Sequence, residues 1–309
     1  MISATTKDLD VRLEALTAAR PDLALAAALQ RALLGRIIAS TDRLEAEPTT
    51  TRTLVPPSTA ISRLKQGLPV LRGDTVQMPV LLLAPELAPL CATLAEGGAG
   101  DPARHIADAL HEGRIDRGSL LAASFRRDQS AIRTFARHAS LSPDLLWLVG
   151  ELAAGPFAFS AQTRVFADDE ARAARDAWDR GYCPACGSWP AIAELAGGAR
   201  RLRCSFCAAA WQPSVCRCVY CAEEGPAFSL AAPDEERPAW RLELCAACGG
   251  YLKSIEAAAP IRYPLLAVDD METTPLDIVA MDRGYGRPPL PDFGASLSMP
   301  KAEGRIPNA

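Results

Sequence analysis

Excess basic charge, long apolar runs and histidine are all scarce in this sequence of 309 residues. Lysine and arginine total 33 against 37 acidic residues, a formal net charge of −4. No overall positive field is available to hold a polyanion, so generic nucleic-acid binding is disfavoured. The longest uncharged runs, Gly181 to Ala193 and Cys204 to Cys216, reach 13 residues. A membrane-spanning helix needs roughly 20, so no membrane insertion is expected. Lys7, Asp8, Asp10, Arg12 and Glu14 stand where a signal peptide would need its apolar stretch, which points to the cytoplasm. A reducing compartment excludes a disulfide framework. The three histidines, His105, His111 and His138, lie on predicted helices, and no Ser/His/Asp or Cys/His constellation can be assigned around them. There is no Walker A motif. Gly98-Ala99-Gly100-Asp101-Pro102-Ala103 fits a G-x-G-x-x-A pattern but follows helix-like sequence with no βαβ unit around it. Nothing recommends a hydrolase or transferase, and a protein that is not an enzyme is expected.

With 49% hydrophobic and 23% charged residues, the chain can bury one large core or two ordinary ones. The first 180 residues read mostly as helices. Leu9, Leu13 and Leu16 share one helical face, and Leu25, Leu29, Leu33 and Ile37 repeat every four residues on a second helix. Residues 47–60 hold three prolines and five threonines and read as a loop. Asp101-Pro102 and Ser142-Pro143 each place a capping oxygen ahead of a proline at the first helical position. The helix begun at Ser142 is expected to stop at Gly155-Pro156, and residues 167–180 to form a last charged helix. From Gly284 onward five prolines and no apolar period predict an extended or partly disordered tail.

Of ten cysteines, nine lie between Cys183 and Cys248. Eight of these form Cys-x-x-Cys pairs: Cys183/Cys186, Cys204/Cys207, Cys218/Cys221 and Cys245/Cys248. Two residues between thiolates allow a tight turn to aim both sulfurs at one ion, and two such turns complete a tetrahedral site. Gly187 and Gly249 follow the second cysteine of their pairs, where a left-handed residue turns backbone N–H groups toward the sulfurs. Both intervals between pairs look like β-hairpins. SWPAIAEL and ARRLR flank Gly197-Gly198, and AFSLAAP is joined through DEERP to AWRLEL, where Trp240, Leu242 and Leu244 alternate with Arg241 and Glu243. Cys183, Cys186, Cys204 and Cys207 are therefore expected to hold one metal ion, and Cys218, Cys221, Cys245 and Cys248 a second. Spacing alone leaves a cross-braced pairing open. Cys216 is left over beside the pairs, and Cys91 sits in an apolar helical neighbourhood that suits a core residue.

The region from 183 to 248 has no histidine, so both sites are all-thiolate, suiting zinc or a single iron. The run of closely spaced single cysteines that marks a ferredoxin cluster is missing. Closed zinc ribbons that only hold a shape are one reading, and redox-active iron or dithiols a second. A zinc-ribbon nucleic-acid binder is a third, opposed by charge: six arginines face seven acids in this region, and eight thiolates around two divalent ions add four negative charges. Arg200, Arg201 and Arg203 form its basic cluster and read as a solvated strand edge or a protein contact.

The runs GYCPACGSWP, RRLRCSFCAAAW, CRCVYC and ELCAACGGYLKSI, with RLEALTAARPDL near the start and PLDIVAMDRGYGRP near the end, resemble the formate dehydrogenase accessory protein family, FdhE. The resemblance covers most of the chain, and Cys216 departs from it. It implies a cytoplasmic maturation factor that binds the catalytic subunit of a respiratory formate dehydrogenase before export, with rubredoxin-like iron at the Cys-x-x-Cys sites. A rubredoxin-like electron-transfer protein is the alternative. The expected fold is α+β: a helical domain (1–180), two tandem rubredoxin-like or zinc-ribbon modules (181–215 and 216–265), and a C-terminal segment with a proline-rich tail (266–309).

Overall fold

The computed structural model describes residues 3–47, 55–72, 76 and 78–291. In chain order its α-helices are α1 (Thr6–Ala19), α2 (Ala24–Ala46), α3 (Pro57–Lys65), α4 (Val80–Leu83), α5 (Leu87–Leu94), α6 (Gly100–His111), α7 (Arg117–Phe125), α8 (Gln129–Ala139), α9 (Pro143–Val165), α10 (Asp169–Asp176), α11 (Leu266–Glu272) and α12 (Thr274–Asp282). Six strands lie between α10 and α11: β1 (Ile192–Ala196), β2 (Ala199–Arg203), β3 (Ala210–Trp211), β4 (Phe228–Ala231), β5 (Trp240–Cys245) and β6 (Gly250–Glu256). The expected α+β class, helices followed by cysteine-bearing hairpins, is what the chain adopts. The described residues divide into two compact units, one drawn from 3–55, 71–164 and 262–268, the other from 56–70, 165–261 and 269–291.

The first unit is helical. Leu9, Leu13 and Leu16 are buried as their spacing predicts, and a capping box of Thr5 and Asp8 starts their helix. On α2 the buried face differs from the expected stripe. Leu33 and Ile37 are inside, but Leu25 is 89% exposed, and Ala27, Leu34, Ile38, Thr41 and Leu44 complete the contact. A strict four-residue repeat drifts around a helix of 3.6 residues per turn, so one stripe cannot stay on one face for four turns. Asp101 does not cap α6: Ala99 is the N-cap, and Asp101 instead accepts from Arg104. Ser142 does cap α9, its Oγ accepting from the Leu145 N–H. That helix runs through Pro156 to Val165. Proline costs a hydrogen bond there, but Phe157 and Phe159 lie inside the unit, Phe157 tilted against Phe125 and Phe159 stacked on Tyr263, and their burial outweighs the break.

Two helical stretches, Pro21–Ala46 and Val80–His111, are long and apolar enough to cross a membrane by length and composition. Core helices of water-soluble proteins pass the same test. The first carries Arg31 and Arg36, which is why counting uncharged runs does not find it. The second is interrupted at Gly98, whose φ of 112° is not helical.

In the second unit, α3 starts at Pro57, so part of the expected 47–60 loop is helical; residues 48–54 lie outside the described residues. Proline at the first helical position forfeits no bond. The sheet order is β3-β2-β1-β6-β5-β4. Gly197 and Gly198, both left-handed (φ 58° and 77°), form the tight turn between β1 and β2. The two hairpins form one sheet because β1 pairs in parallel with β6, Ile192 opposite Lys253 through Leu195 opposite Glu256. One face of β5 and β6 (Leu242, Leu244 and Tyr251) packs on Leu276 and Ala280 of α12.

Charges sit inside this sheet. Arg203 and Glu194 are paired with side chains 1% and 0% exposed, and Arg203 also donates to the Ile261 carbonyl at 2.5 Å. Lys253, 0% exposed, reaches Asp270 and Asp277 at 2.6 and 2.7 Å. Arg200 donates to Glu243 at 2.7 Å. The expected solvated edge of Arg200, Arg201 and Arg203 is therefore corrected: two of the three are held by carboxylates within the sheet, because β2 is an interior strand between β1 and β3. The expected alternation along β5 holds, with Glu243 of its polar face buried and Arg241 partly exposed. At the start of the tail, Gly286 bridges to Gly250, Arg287 reaches Asp277 at 3.1 Å, and the Pro289 carbonyl accepts from Trp189. Residues 292–309 lie outside the described residues.

Candidate metal centres

Each Cys-x-x-Cys pair forms a turn closed by a backbone bond to the carbonyl of its first cysteine, donated by Gly187, Ala208, Ala222 and Gly249 in turn. All four donors are left-handed, with φ of 78°, 55°, 62° and 71°. Gly187 and Gly249 were legible as such in the sequence. Ala208 and Ala222 were not, because alanine carries no mark of a conformation that costs a Cβ-bearing residue roughly 1–2 kcal/mol. At Gly249 an added Cβ meets nothing within 4 Å, so Gly249→Ala tests conformation alone. It is expected to lower stability by about 1 kcal/mol, whereas Ala222→Gly is expected to be neutral or stabilising. Denaturant midpoints of the two metal-loaded variants check this, and equal losses would contradict it.

The turns bring the sulfurs together in two groups, Cys183, Cys186, Cys204 and Cys207, and Cys218, Cys221, Cys245 and Cys248, each with all sulfurs within 4.8 Å of one another. The expected grouping is the one seen, and the cross-braced one is not. In the first group Cys183 lies 3.6 Å from Cys207, and Cys186 3.4 Å from Cys204. In the second, Cys218 lies 3.6 Å from Cys248, and Cys221 3.6 Å from Cys245. A tetrahedron with metal–sulfur bonds of about 2.3 Å has edges of about 3.8 Å, whereas a disulfide needs about 2.05 Å. All ten cysteines are free thiols, so both clusters fit a single ion and can hold one. Cys216 is exposed and outside both groups, and Cys91 is buried in α5.

Electrostatics sets the conditions under which the first cluster can take an ion. Burial pushes the Cys183 and Cys207 thiols well up, with neighbouring thiols adding to the shift. Four thiolates there require a cation, and its uptake must expel protons and weaken as the pH falls. In the second cluster Cys218 is raised, chiefly by its hydrogen bond to Cys248. Cys248 is correspondingly lowered to about 5, chiefly by the hydrogen bond from Cys218, with Gly250 N–H and the other thiols assisting.

The clusters differ in access. All four cysteines of the first are buried, whereas Cys221 and Cys248 of the second are partly exposed. A chelator is therefore expected to remove metal from the second cluster at least tenfold faster. Release from the intact protein should show two phases, the fast one absent in Cys245→Ala; a single phase would contradict the difference.

No protein-family model matches the chain. Among curated proteins, "Protein FdhE" of Escherichia coli O127:H6 is 31% identical over 118 residues, 37% of this chain and 38% of that protein. "Protein FdhE homolog" of Edwardsiella ictaluri is 33% identical over 118 residues, again 38% of its length. "Protein FdhE homolog" of Aquifex aeolicus is 30% identical over 125 residues, 38% of this chain and 43% of the relative. The chain thus matches less than half the length of these relatives. The crystal structure of the FdhE protein from Pseudomonas aeruginosa aligns with a TM-score of 0.55 over 93% of this chain and 95% of that one, at 23% identity, which shows a shared fold. The sequence matches are thus to FdhE proteins over 37–38% of this chain, and the structural match adds the fold.

Proposed function

We propose that this FdhE-like chain is an accessory protein for formate dehydrogenase, acting in the cytoplasm by binding that enzyme's catalytic subunit, without catalysis of its own. The observation that carries the reading is the pair of four-sulfur clusters in a chain similar to FdhE proteins. The eight cysteines would hold two ions, iron by the family resemblance and zinc by the same geometry. Four thiolates around one ion leave no open coordination position for a substrate, which is how structural sites differ from catalytic ones. The ions then fix the ribbons as a docking surface. In the test, tagged full-length protein from its native source is expected to co-purify with the formate dehydrogenase catalytic subunit, and deletion of its gene to abolish formate oxidation. Formate oxidation left intact, with no compensating paralogue, would overturn the proposal.

Partial exposure of Cys221 and Cys248 favours a second reading, in which iron in the second cluster exchanges electrons. Reversible optical changes on reduction would support it. Two tightly bound zinc ions and no iron, after growth with ample iron, would reject it.

A further inference from the structure

The second unit contains a cavity of about 560 Å³ beside the second cluster, whose ligand Cys218 forms part of its lining. Its size lies within the range of small-molecule sites, roughly 300–1,000 Å³. Its lining includes Trp178, Tyr182, Trp189 and Tyr220, which run edge-to-face in that order with centroids 5.3, 6.2 and 5.1 Å apart. On one side the backbone at Gly181 lies so close to Val219 that an added Cβ would meet the Val219 carbonyl at 1.7 Å.

Apart from Cys218, a ligand of the second cluster, the charged side chains lining this wall, Lys65, Asp179, Arg180 and Arg217, carry a net positive charge in a chain whose net charge is −4. Asp179 and Arg217 both line it and pair with each other at 2.9 Å. Arg180 and Lys65 line it too, and among the described residues neither has a carboxylate within ion-pair distance. Arg180 is nonetheless held in place. Its guanidinium lies over the Trp178 ring at 5.6 Å and against Gly67, where an added Cβ would sit 2.6 Å from it. Tyr182 is a further neutral neighbour, its phenol raised by burial and pulled back by Arg180. A cation fixed by neutral partners beside aromatic walls is pre-organised for an anion, with little ordering left to do on binding.

We propose that this cavity binds a small planar organic anion of nucleoside-monophosphate size, its ring against the aromatic walls and its anionic group on Arg180 and Lys65. The test titrates metal-loaded, full-length protein with adenosine 5′-monophosphate, 4-hydroxybenzoate and 8-anilinonaphthalene-1-sulfonate, with adenosine and inorganic phosphate as controls lacking the charge or the ring. Tryptophan fluorescence and calorimetry are the readouts. At least one planar anion is expected to bind at one site per chain, tenfold or more tighter than either control. Arg180→Gln should weaken it at least tenfold, and exposed Lys65→Ala should weaken it severalfold with an unchanged thermal midpoint. No saturable binding by any of the three anions would overturn the proposal, as would binding unaltered in both variants or matched by adenosine. These outcomes are independent of whether the chain serves formate dehydrogenase.

Discussion

Cys183→Ala is expected to reduce the metal content from two ions per chain to one, and Cys245→Ala to do the same at the other cluster. Cys216→Ala should retain both ions, because that thiol is exposed and lies outside either group. The effect on stability should be large, since structural zinc sites in small peptides contribute roughly 10–16 kcal/mol, with Ile192, Leu202, Phe206 and Trp211 supplying the buried apolar surface that remains without the ion. Loss of the first ion should remove amide-exchange protection from β1, β2 and β3. β6 should retain part of its protection through β5, to which it pairs from Trp240–Ile255 to Cys245–Gly250. Metal analysis and hydrogen exchange on the three variants check this; equal metal content in all three would overturn the ligand assignment.

Glu194→Ala is expected to destabilise the second unit by about 3–5 kcal/mol, because it strands the Arg203 guanidinium in the interior of the sheet without its carboxylate. The lost partner also accepted from the Ile261 N–H at 3.1 Å, so the segment after β6 should loosen as well. Replacing both members by apolar residues, Glu194→Leu with Arg203→Met, should recover much of the loss, since no unpaired charge then remains buried. The exposed pair Arg241 and Glu256, with side chains 38% and 51% exposed, serves as the control; breaking it should change stability by less than about 1 kcal/mol. Chemical denaturation of the single and double variants measures all three. A Glu194→Ala loss no greater than that of the exposed pair would contradict the burial.

What could be read from the sequence was local. The Cys-x-x-Cys turns, the Gly197-Gly198 hairpin and the Ser142 cap each depend on a few adjacent residues whose chemistry admits one geometry. What could not be read depends on residues far apart in the chain. Parallel pairing of β1 with β6 leaves no mark at either strand, so Arg203 read as part of a solvated edge or protein contact, and nothing in the sequence marked Glu194 or Lys253 as buried. Pro156 similarly signals a helix end, and only the burial of Phe157 and Phe159 overrides it. The left-handed alanines at 208 and 222 follow from the demands of the knuckle, which imposes its conformation whether or not glycine is present. The aromatic cavity drew on residues from 64 to 222, and no motif announced it.

The most direct test of two closed four-thiolate centres is X-ray absorption at the metal edge of the protein purified from its native source. Four sulfur neighbours at about 2.3 Å and no metal–metal vector are predicted, and the absorbing edge identifies the ion. A first shell containing nitrogen or oxygen, or a second metal at cluster distance, would contradict the assignment of Cys183, Cys186, Cys204 and Cys207 to one ion and Cys218, Cys221, Cys245 and Cys248 to the other.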